Sequence, residues 1–443
     1  MARPDFLDST LSAENKLYNK AAWRLIPVLF ICYVAAYLDR VNVGFAELQM
    51  KTDLKFSDTV YGLGAGIFFI GYFFFEVPSN ILLEKVGARV WIARIMVSWG
   101  IVSGLMIFVR SAEIFYLLRF ILGMAEAGFF PGIILYLTYW FPSRRRGQMI
   151  ALFMLAIAFT GVIGGPISGL IMGAFRDSQG LKAWQMLFLL EAIPSITIGF
   201  LVPLLLPNGV QSARWLSERE KAFLDQNIRT ENRSKHHLTL RQVFAEPRIP
   251  LFCIVYFCSS AGLYGVAFWL PQIISDTGIA NPLAIGLLST IPYGLAGFSM
   301  VAFGKSSDRR MERRWHFAIA AFLGAIGLSI SAISIHSTVL SMFGLSIGTA
   351  GILTTLVLFW PMPTAIFAGT SAAVSIALVN SIGSLAGFAG PYLIGKVNDQ
   401  VKRSDFSLYL IALTVAIGGI LVLLFVPRRL PADGRLTYDF RHV

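Results

Sequence analysis

Charge is what this 443-residue chain has least of: Asp, Glu, Lys and Arg make up 14% of it, against about 25% in a typical soluble domain. So little charge cannot cover a water-facing surface in the ordinary way, which argues against a soluble enzyme. Cysteine is almost as scarce. Cys32, Cys253 and Cys258 all lie inside apolar runs, so no disulfide framework is expected, and they read as small apolar core residues. The five histidines (His236, His237, His316, His336 and His442) fall in loops or at the ends of apolar runs. None has a second His or Cys at ligand spacing, so no metal site is expected. No glycine-rich loop ends in Gly-Lys-Ser/Thr, which disfavours an ATP-driven pump. No catalytic constellation is visible and no cofactor is implied. The first 20 residues lack a short apolar stretch ending in a small-residue cleavage site. The first span is therefore expected to act as its own uncleaved signal.

What the chain has in abundance is apolar sequence, 56% of residues, with a mean hydropathy of +0.67. A membrane span needs roughly 20 apolar residues. Runs of that kind lie near 24–45, 59–83, 90–110, 113–140, 148–174 and 184–206, and again near 249–273, 282–304, 315–335, 338–360, 364–395 and 405–427. Glycines and prolines within them (Gly123, Pro131, Pro166, Pro194, Pro391) do not demote them, because neighbouring helices re-satisfy the freed backbone groups. The expected fold is an all-α membrane protein of twelve transmembrane helices.

The net charge of +12 and pI near 9.7 would suggest nucleic acid as a partner in a soluble protein. Here the basic residues lie between apolar runs rather than on one patch, so no nucleic-acid partner is expected. Of the 37 Lys and Arg, 27 fall on the side that holds the N-terminus and 8 in the opposite loops; Arg40 and Arg119 lie inside spans. That asymmetry puts both termini in the cytoplasm of a cell whose inner membrane holds the protein, in contact with its lipid.

The two halves echo each other. The loop after span 2 reads Glu84-Lys85-Val86-Gly87-Ala88-Arg89, and the loop after span 8 reads Gly304-Lys305-Ser306-Ser307-Asp308-Arg309-Arg310. Span 5 carries Gly165-Pro166 with Gly169 following, and span 11 carries Gly390-Pro391 with Gly395 following. Matching short charged loops and Gly-Pro helices point to a duplicated six-span unit. The division is 1–207 for the first bundle, 208–248 for a linker with a helix around 217–227, and 249–443 for the second bundle and a short tail.

Four stretches then carry a resemblance. They are Tyr37-Leu38-Asp39-Arg40-Val41-Asn42, the run from Gly71 through Glu76 and Pro78 to Asn80, the run from Arg119 through Glu126 and Pro131 to Trp140, and the run from Asn380 through Gly383 and Gly387 to Pro391. Together with the two-bundle layout, they make the chain resemble the major facilitator superfamily, and within it the anion:cation symporters of the bacterial tartrate-, phthalate- and hydroxyphenylacetate-type branch. The resemblance implies two pseudo-symmetric six-helix bundles and proton-coupled uptake of a small organic anion by alternating access, in a functional monomer. It does not choose among hydroxy-dicarboxylates, sugar acids and aromatic acids. One departure is Glu84, where the superfamily's loop motif has Asp, with its opening glycine missing.

Independently of family, Asp39, Arg40, Arg119 and Glu126 are charges inside apolar runs, each costing about 2.5–3.5 kcal/mol at a span centre. Arg119 and Glu126 are seven apart, so they return to nearly the same helix face about 10 Å along the axis. Arginine stays charged at physiological pH and its fork matches a carboxylate, which makes Arg40 and Arg119 candidates for the substrate anion. A carboxylate can gain or lose a proton as its surroundings change, which makes Asp39 and Glu126 candidates for the coupling proton. Each has a cation of its own to pair with: Glu126 with Arg119 on its helix face, and Asp39 with adjacent Arg40. The alternative is a pair of buried ion pairs that only fix packing. By resemblance, Tyr37, Tyr72, Trp360 and Asn380 line the substrate cavity. An amide such as Asn380 needs a partner in any case, whereas an aromatic in a span is more often packing. Tyr256 and Tyr264 are possible liners from span 7. Glu76 and Glu191 could serve as proton sites, but the favoured reading is structural, as span-end acids that can reach loop arginines. Glu84, Arg89, Asp308 and Arg309 are read as gating charges.

Two other functions compete: a proton-driven exporter of amphiphilic compounds, which has little use for buried arginines, and a membrane sensor, for which linker and tail are short. The charge asymmetry makes a direct prediction. A cysteine at Asn232 should resist a membrane-impermeant thiol reagent in intact cells and react after lysis; reaction from outside would overturn the orientation.

Overall fold

A computed structural model describes residues 4–175, 180–233, 248–310, 312–366, 370–401 and 405–426. Among the described residues there is no strand. That is what a lipid environment requires of an open chain, because only a helix satisfies its own backbone groups there. Span 1 is α1 (Pro4–Val41) followed by α2 (Val43–Leu54); span 2 is α3 (Asp58–Val86) and span 3 is α4 (Ala88–Leu105). Span 4 is α5 (Ala112–Glu126) followed by α6 (Phe129–Thr138); spans 5 and 6 are α7 (Ser143–Ala174) and α8 (Ala183–Leu205). The linker holds α9 (Glu218–Arg233). Spans 7 to 9 are α10 (Arg248–Asp276), α11 (Pro282–Arg310) and α12 (Arg314–Ile333). Span 10 is α13 (Thr338–Phe359) with α14 (Pro361–Ile366), span 11 is α15 (Thr370–Val401) and span 12 is α16 (Asp405–Phe425). Eleven of these spans are long and apolar enough to cross a membrane among the described residues, and α15 lies where the sequence expects the remaining one. Residues 234–247 of the linker, the tail after Val426, and Arg3, Arg176, Lys402 and Arg403 among the counted charges lie outside the described residues.

Large apolar side chains such as Phe74, Phe200, Leu204, Phe298, Val339 and Leu424 are exposed. On a chain this poor in charge they form the lipid-facing surface. Several prolines do not set helix breaks: Pro78, Pro166, Pro194, Pro292 and Pro391 all sit inside continuous helices. Span 1 breaks at Asn42, far from any proline, span 4 at Ala127-Gly128, shortly before Pro131, and span 10 at Trp360, directly before Pro361. Gly128 adopts φ 85°, the left-handed region, and a Cβ there would lie 2.3 Å from the Ser79 hydroxyl oxygen, so glycine is required on both counts.

The linker helix α9 docks against the start of span 1. Lys20 Nζ pairs with Glu220 at 2.8 Å, Asn227 donates to the Tyr18 hydroxyl at 3.2 Å, and the rings of Trp215 and Trp140 stack at 5.6 Å. The linker helix and the N-terminal end of span 1 therefore share one face of the molecule. The opposite end, where α2 finishes at Leu54, is called distal below.

Close packing between the halves is concentrated toward the distal end and uses small residues. Span 5 meets span 8 where a Cβ on Gly286 would lie 2.2 Å from the Gly165 carbonyl oxygen. Span 2 meets span 11 where a Cβ on Gly62 would lie 2.3 Å from the Pro391 oxygen, and one on Gly395 2.1 Å from the Asp58 oxygen. The two Gly-Pro segments singled out in the sequence thus both serve the seam between halves. Gly286→Val should push this seam apart. Distances between spin labels at Lys55 and Asn281 should lengthen; an unchanged distance would mean the seam does not hold the distal end shut.

Candidate functional site

Arg40 occupies the last turn of α1, where its charge complements the carboxyl end of the helix dipole. The break at Asn42 then leads the chain into α2. Arg40 is buried and its guanidinium makes two contacts: Nη2 pairs with the Glu126 carboxylate, and Nη1 donates to the Tyr264 hydroxyl in span 7 at 3.1 Å. The rings of Phe68 and Tyr72 lie 5.4 and 5.8 Å from its carbon centre, within cation–π range. Glu126 is the last residue of α5, just before the break in span 4. Both partners of the ion pair therefore sit at helix interruptions, the irregular backbone that membrane proteins tolerate where it lines a cavity.

Two pairings expected from the sequence are different in the structure. Glu126 finds its cation in span 1 rather than in Arg119 on its own helix. The Arg119 guanidinium turns to span 2, donating from Nε to the Gly64 carbonyl and from Nη2 to the Ala65 carbonyl, both at 3.2 Å, beneath the Phe68 ring at 5.1 Å. Asp39 does not pair with adjacent Arg40, because successive helix residues point about 100° apart. It faces into the first bundle and accepts from Trp99 Nε1 at 3.1 Å, from Ser103 Oγ at 2.9 Å, and from Ser195 Oγ. Spans 3 and 6 thus cage this carboxylate.

Glu76 and Glu191 reach no loop arginine, because both are buried within the helix packing. Glu76 binds across to the second half, accepting from Asn380 Nδ2 at 2.9 Å and Ser381 Oγ at 3.0 Å. Glu191 accepts from Ser168 Oγ at 2.6 Å inside the first half.

Between the halves lies a cavity, narrowed in this state until it has room for little more than water. Arg40, Tyr72, Tyr256, Tyr264 and Asn380 line it, as do Tyr33 and Ser384. Apolar walls come from Phe69, Phe130, Met154, Ile157, Leu263 and Leu356. Arg119, Tyr37 and Trp360 are not on the wall. Tyr37 packs edge-on to Tyr33 with ring centroids 6.3 Å apart, and Trp360 stands behind Tyr256 at 4.9 Å. Sequence reasoning passed over Tyr33, four residues before Tyr37 and so on the same helical face. The cage of Trp99, Ser103 and Ser195 had no stronger signal than polar groups inside apolar runs.

The distal end carries a network absent from the sequence reading. Lys51 bridges Glu47 at 3.2 Å and Asp58, and the Tyr61 hydroxyl donates to the Phe268 carbonyl at 3.0 Å. The Asp399 carboxylate of span 11 accepts from the backbone N–H groups of Asp58 and Thr59 at 3.1 and 2.8 Å. It caps span 2 from the other half, where the helix start favours an anion. At the opposite end, Asp308 pairs with Arg313 of its own loop rather than with Arg309. Glu84, Arg89 and Arg309 are exposed, and among the described residues no ion pair joins these charges to the other half.

Comparison with known proteins agrees with this geometry. The family model described as Major Facilitator Superfamily matches residues 29–391. A protein of Agrobacterium vitis named "Putative tartrate transporter" is 44% identical over 97% of this chain and 99% of its own length. The "Putative metabolite transport protein NicT" of Pseudomonas putida is 46% identical over 89% of this chain and 91% of its own. A "Quinolone resistance transporter" of Acinetobacter baumannii is 36% identical, covering 92% and 95%. Among solved structures, a D-xylose-proton symporter superposes with a TM-score of 0.73 over 92% of this chain and 98% of its own, at 15% identity, a likeness of fold alone.

The cross-half cap can be tested. Losing a helix cap costs about 0.5–2 kcal/mol, so Asp399→Ala should loosen the distal seam. In detergent-solubilised protein, maleimide labelling of a cysteine at the buried Tyr61 position should speed up several-fold. An unchanged rate would show that the cap does not hold the halves together.

Proposed function

The chain belongs to the major facilitator superfamily, and on that premise we propose that it takes up a small organic anion together with protons. It is a membrane transporter rather than an enzyme, as its family is. In this reading the halves 1–207 and 249–443 rock about the central cavity, joined by the linker 208–248. Both termini face the cytoplasm of a bacterial inner membrane, and the monomer is the working unit. The distal seam, closed by glycine packing and the Asp399 cap, is then the periplasmic gate. Glu84, Arg89, Asp308 and Arg309 serve the cytoplasmic gate, disengaged in this state.

The observation that carries the proposal is the position of Arg40. Its guanidinium lines the cavity while held by Glu126 on one side and Tyr264 on the other. An incoming carboxylate competes with Glu126 for the same fork. A buried acid that loses its cation is far more stable protonated than charged, so anion binding recruits a proton and proton binding frees the arginine. Linkage requires the two effects to be equal. Asp39 is the second acid of the pair, and Arg119 positions span 2 against span 4 beside Arg40. The names of the tartrate and metabolite relatives support an anion as cargo. The quinolone relative is the observation that favours the alternative, proton-coupled export of an amphiphile, for which a cavity arginine held by a carboxylate has no evident use.

The test is paired in proteoliposomes: uptake driven by a pH gradient, and counterflow without one. Glu126→Gln or Asp39→Asn should abolish accumulation, and at least one of the two should keep counterflow. Arg40→Ala should stop both, with Arg40→Lys rescuing poorly because an ammonium cannot make the two-pronged contact. Accumulation by both acid mutants would exclude them as the coupling sites and turn attention to Glu76 and Glu191.

A further inference from the structure

We propose that Glu191 shares a proton with Asp39, and that this pair is loaded from the distal seam through the interior of the first half rather than from the cavity. What the pair is for rests on the proton-coupled reading above; that it shares a proton does not.

The two acids stand on neighbouring helices at slightly different depths. Ser195 of α8 donates to the Asp39 carboxylate, and Glu191 precedes Ser195 by four residues, about one helical turn. The helix α8 begins at the distal end, where Trp184 bonds to Gln49 and Asp53. Glu191 therefore lies on the distal side of Asp39. Both side chains are buried, and Asp39 is the ionisable group that acts on Glu191. The further ionisable group acting on Asp39 is Glu126, which Arg40 already holds. Among the described residues neither Asp39 nor Glu191 makes an ion pair; the Trp99 indole and the hydroxyls of Ser103, Ser168 and Ser195 face them instead. Two buried carboxyls that act on each other with no cation between them are strongly disfavoured with both charged, so they take up and release protons as a pair.

Asn42 supplies the joint. It is buried at the break between α1 and α2, beside Glu191 and three residues after Asp39. Neither its amide nitrogen nor its amide oxygen has a hydrogen-bond partner among the described residues, and neither has Glu191 Oε2. A donor and two acceptors on adjacent buried side chains match a single water molecule, which can accept one bond and donate two. Buried polar atoms that find no protein partner are commonly satisfied in this way. A water held there extends Glu191 toward Asp39.

Ser168 opens the pair to the seam. Its hydroxyl donates to Glu191 Oε1 at 2.6 Å. It sits between Gly165 and Gly169, where added Cβ atoms would lie 2.7 Å from the Gly286 oxygen and 2.5 Å from the Pro282 oxygen of span 8. A hydroxyl both donates and accepts, so it can pass a proton to the carboxyl beside it. In this structure the glycine seam covers Ser168, which is buried. Parting the seam wets it. Loading is thereby tied to opening of the distal end, with no part of the cavity on the route.

The experiment follows the infrared band of protonated carboxyls in the purified full-length protein as pH is varied, with no anion added. Wild type, Asp39→Asn, Glu191→Gln and the double variant form a cycle in which Glu47, Glu76 and Glu126 cancel. Removing either acid should shift the titration of the other by about one pH unit or more, as in a coupled pair. Independent titrations, in which the two single changes sum to the double, overturn the pair. The second arm times exchange of the same band when water is replaced by heavy water. Ser168→Ala should slow it at least fivefold, and Ser168→Thr, which keeps the hydroxyl, should restore it. An unchanged rate in Ser168→Ala overturns the route. Both failures leave the anion-uptake reading intact. Gradient-driven accumulation that survives loss of Asp39, Glu126 and Glu191 together overturns the proton-coupled reading and leaves the shared proton standing.

Discussion

The ion pair between Arg40 and Glu126 sits where water is largely excluded, between two helices that both break at that depth. Leaving either charge alone there would cost several kcal/mol, and the pair is held only while its geometry is good. Much of the local architecture follows from this need. The break at Asn42 ends α1 at Arg40, and the left-handed Gly128 ends α5 at Glu126, so the two side chains meet at the tips of their helices. Ser79 packs so tightly under Gly128 that the turn admits no side chain. The Arg40 tip faces the cavity, where in the proposed mechanism a ligand contests the pair.

A contested ion pair becomes transport only if the halves can move around it. The seam between them is zipped at the distal end by backbone-to-backbone approaches at Gly62, Gly165, Gly286 and Gly395. Such contacts are flat and nearly free of side-chain interlocking, so they can part and re-form as units. The polar contacts that cross the seam have the same character. Asp399 holds two N–H groups and Tyr61 one carbonyl. Each of these bonds can be exchanged for water when the distal end opens, which keeps the open state within reach.

The sequence made the spans legible because twelve apolar runs at membrane length leave few alternatives, and Arg40 legible because an arginine in such a run demands an explanation. The partners were not legible. Seven-residue spacing suggested that Arg119 and Glu126 share a cavity, yet spacing along the unbroken α5 does not say which group on a neighbouring helix each will reach. Arg119 turns to span 2 while Glu126 turns to span 1. Adjacency joined Asp39 to Arg40 on paper, while the helix turns them onto different faces. The contact between Glu76 and Asn380 joins residues 304 positions apart, a pairing that only the packing of spans 2 and 11 creates. The prolines alone did not mark the breaks either, since Pro78, Pro166 and Pro391 sit in continuous helices while Asn42 breaks span 1 with no proline beside it.

The distribution of charge between the halves has a mechanical consequence. Asp39, Arg40, Arg119 and Glu126 all belong to the first half, whereas the second half contributes neutral groups to the cavity: Tyr256, Tyr264, Asn380 and Ser384. Hydrogen bonds at the cavity tie the halves together, Arg40 to Tyr264 and Asn380 with Ser381 to Glu76. In each, the ionisable member stays with the first half while the neutral member can leave. When the second half swings away, the ion pair keeps its geometry, and the departing groups are hydroxyls and an amide that water can solvate. Moving a neutral surface past a fixed charge avoids desolvating a new ion at every cycle. The barrier to rocking is thereby separated from the stability of the buried charges, and the state of Arg40, free or held, can bias which arrangement the halves adopt.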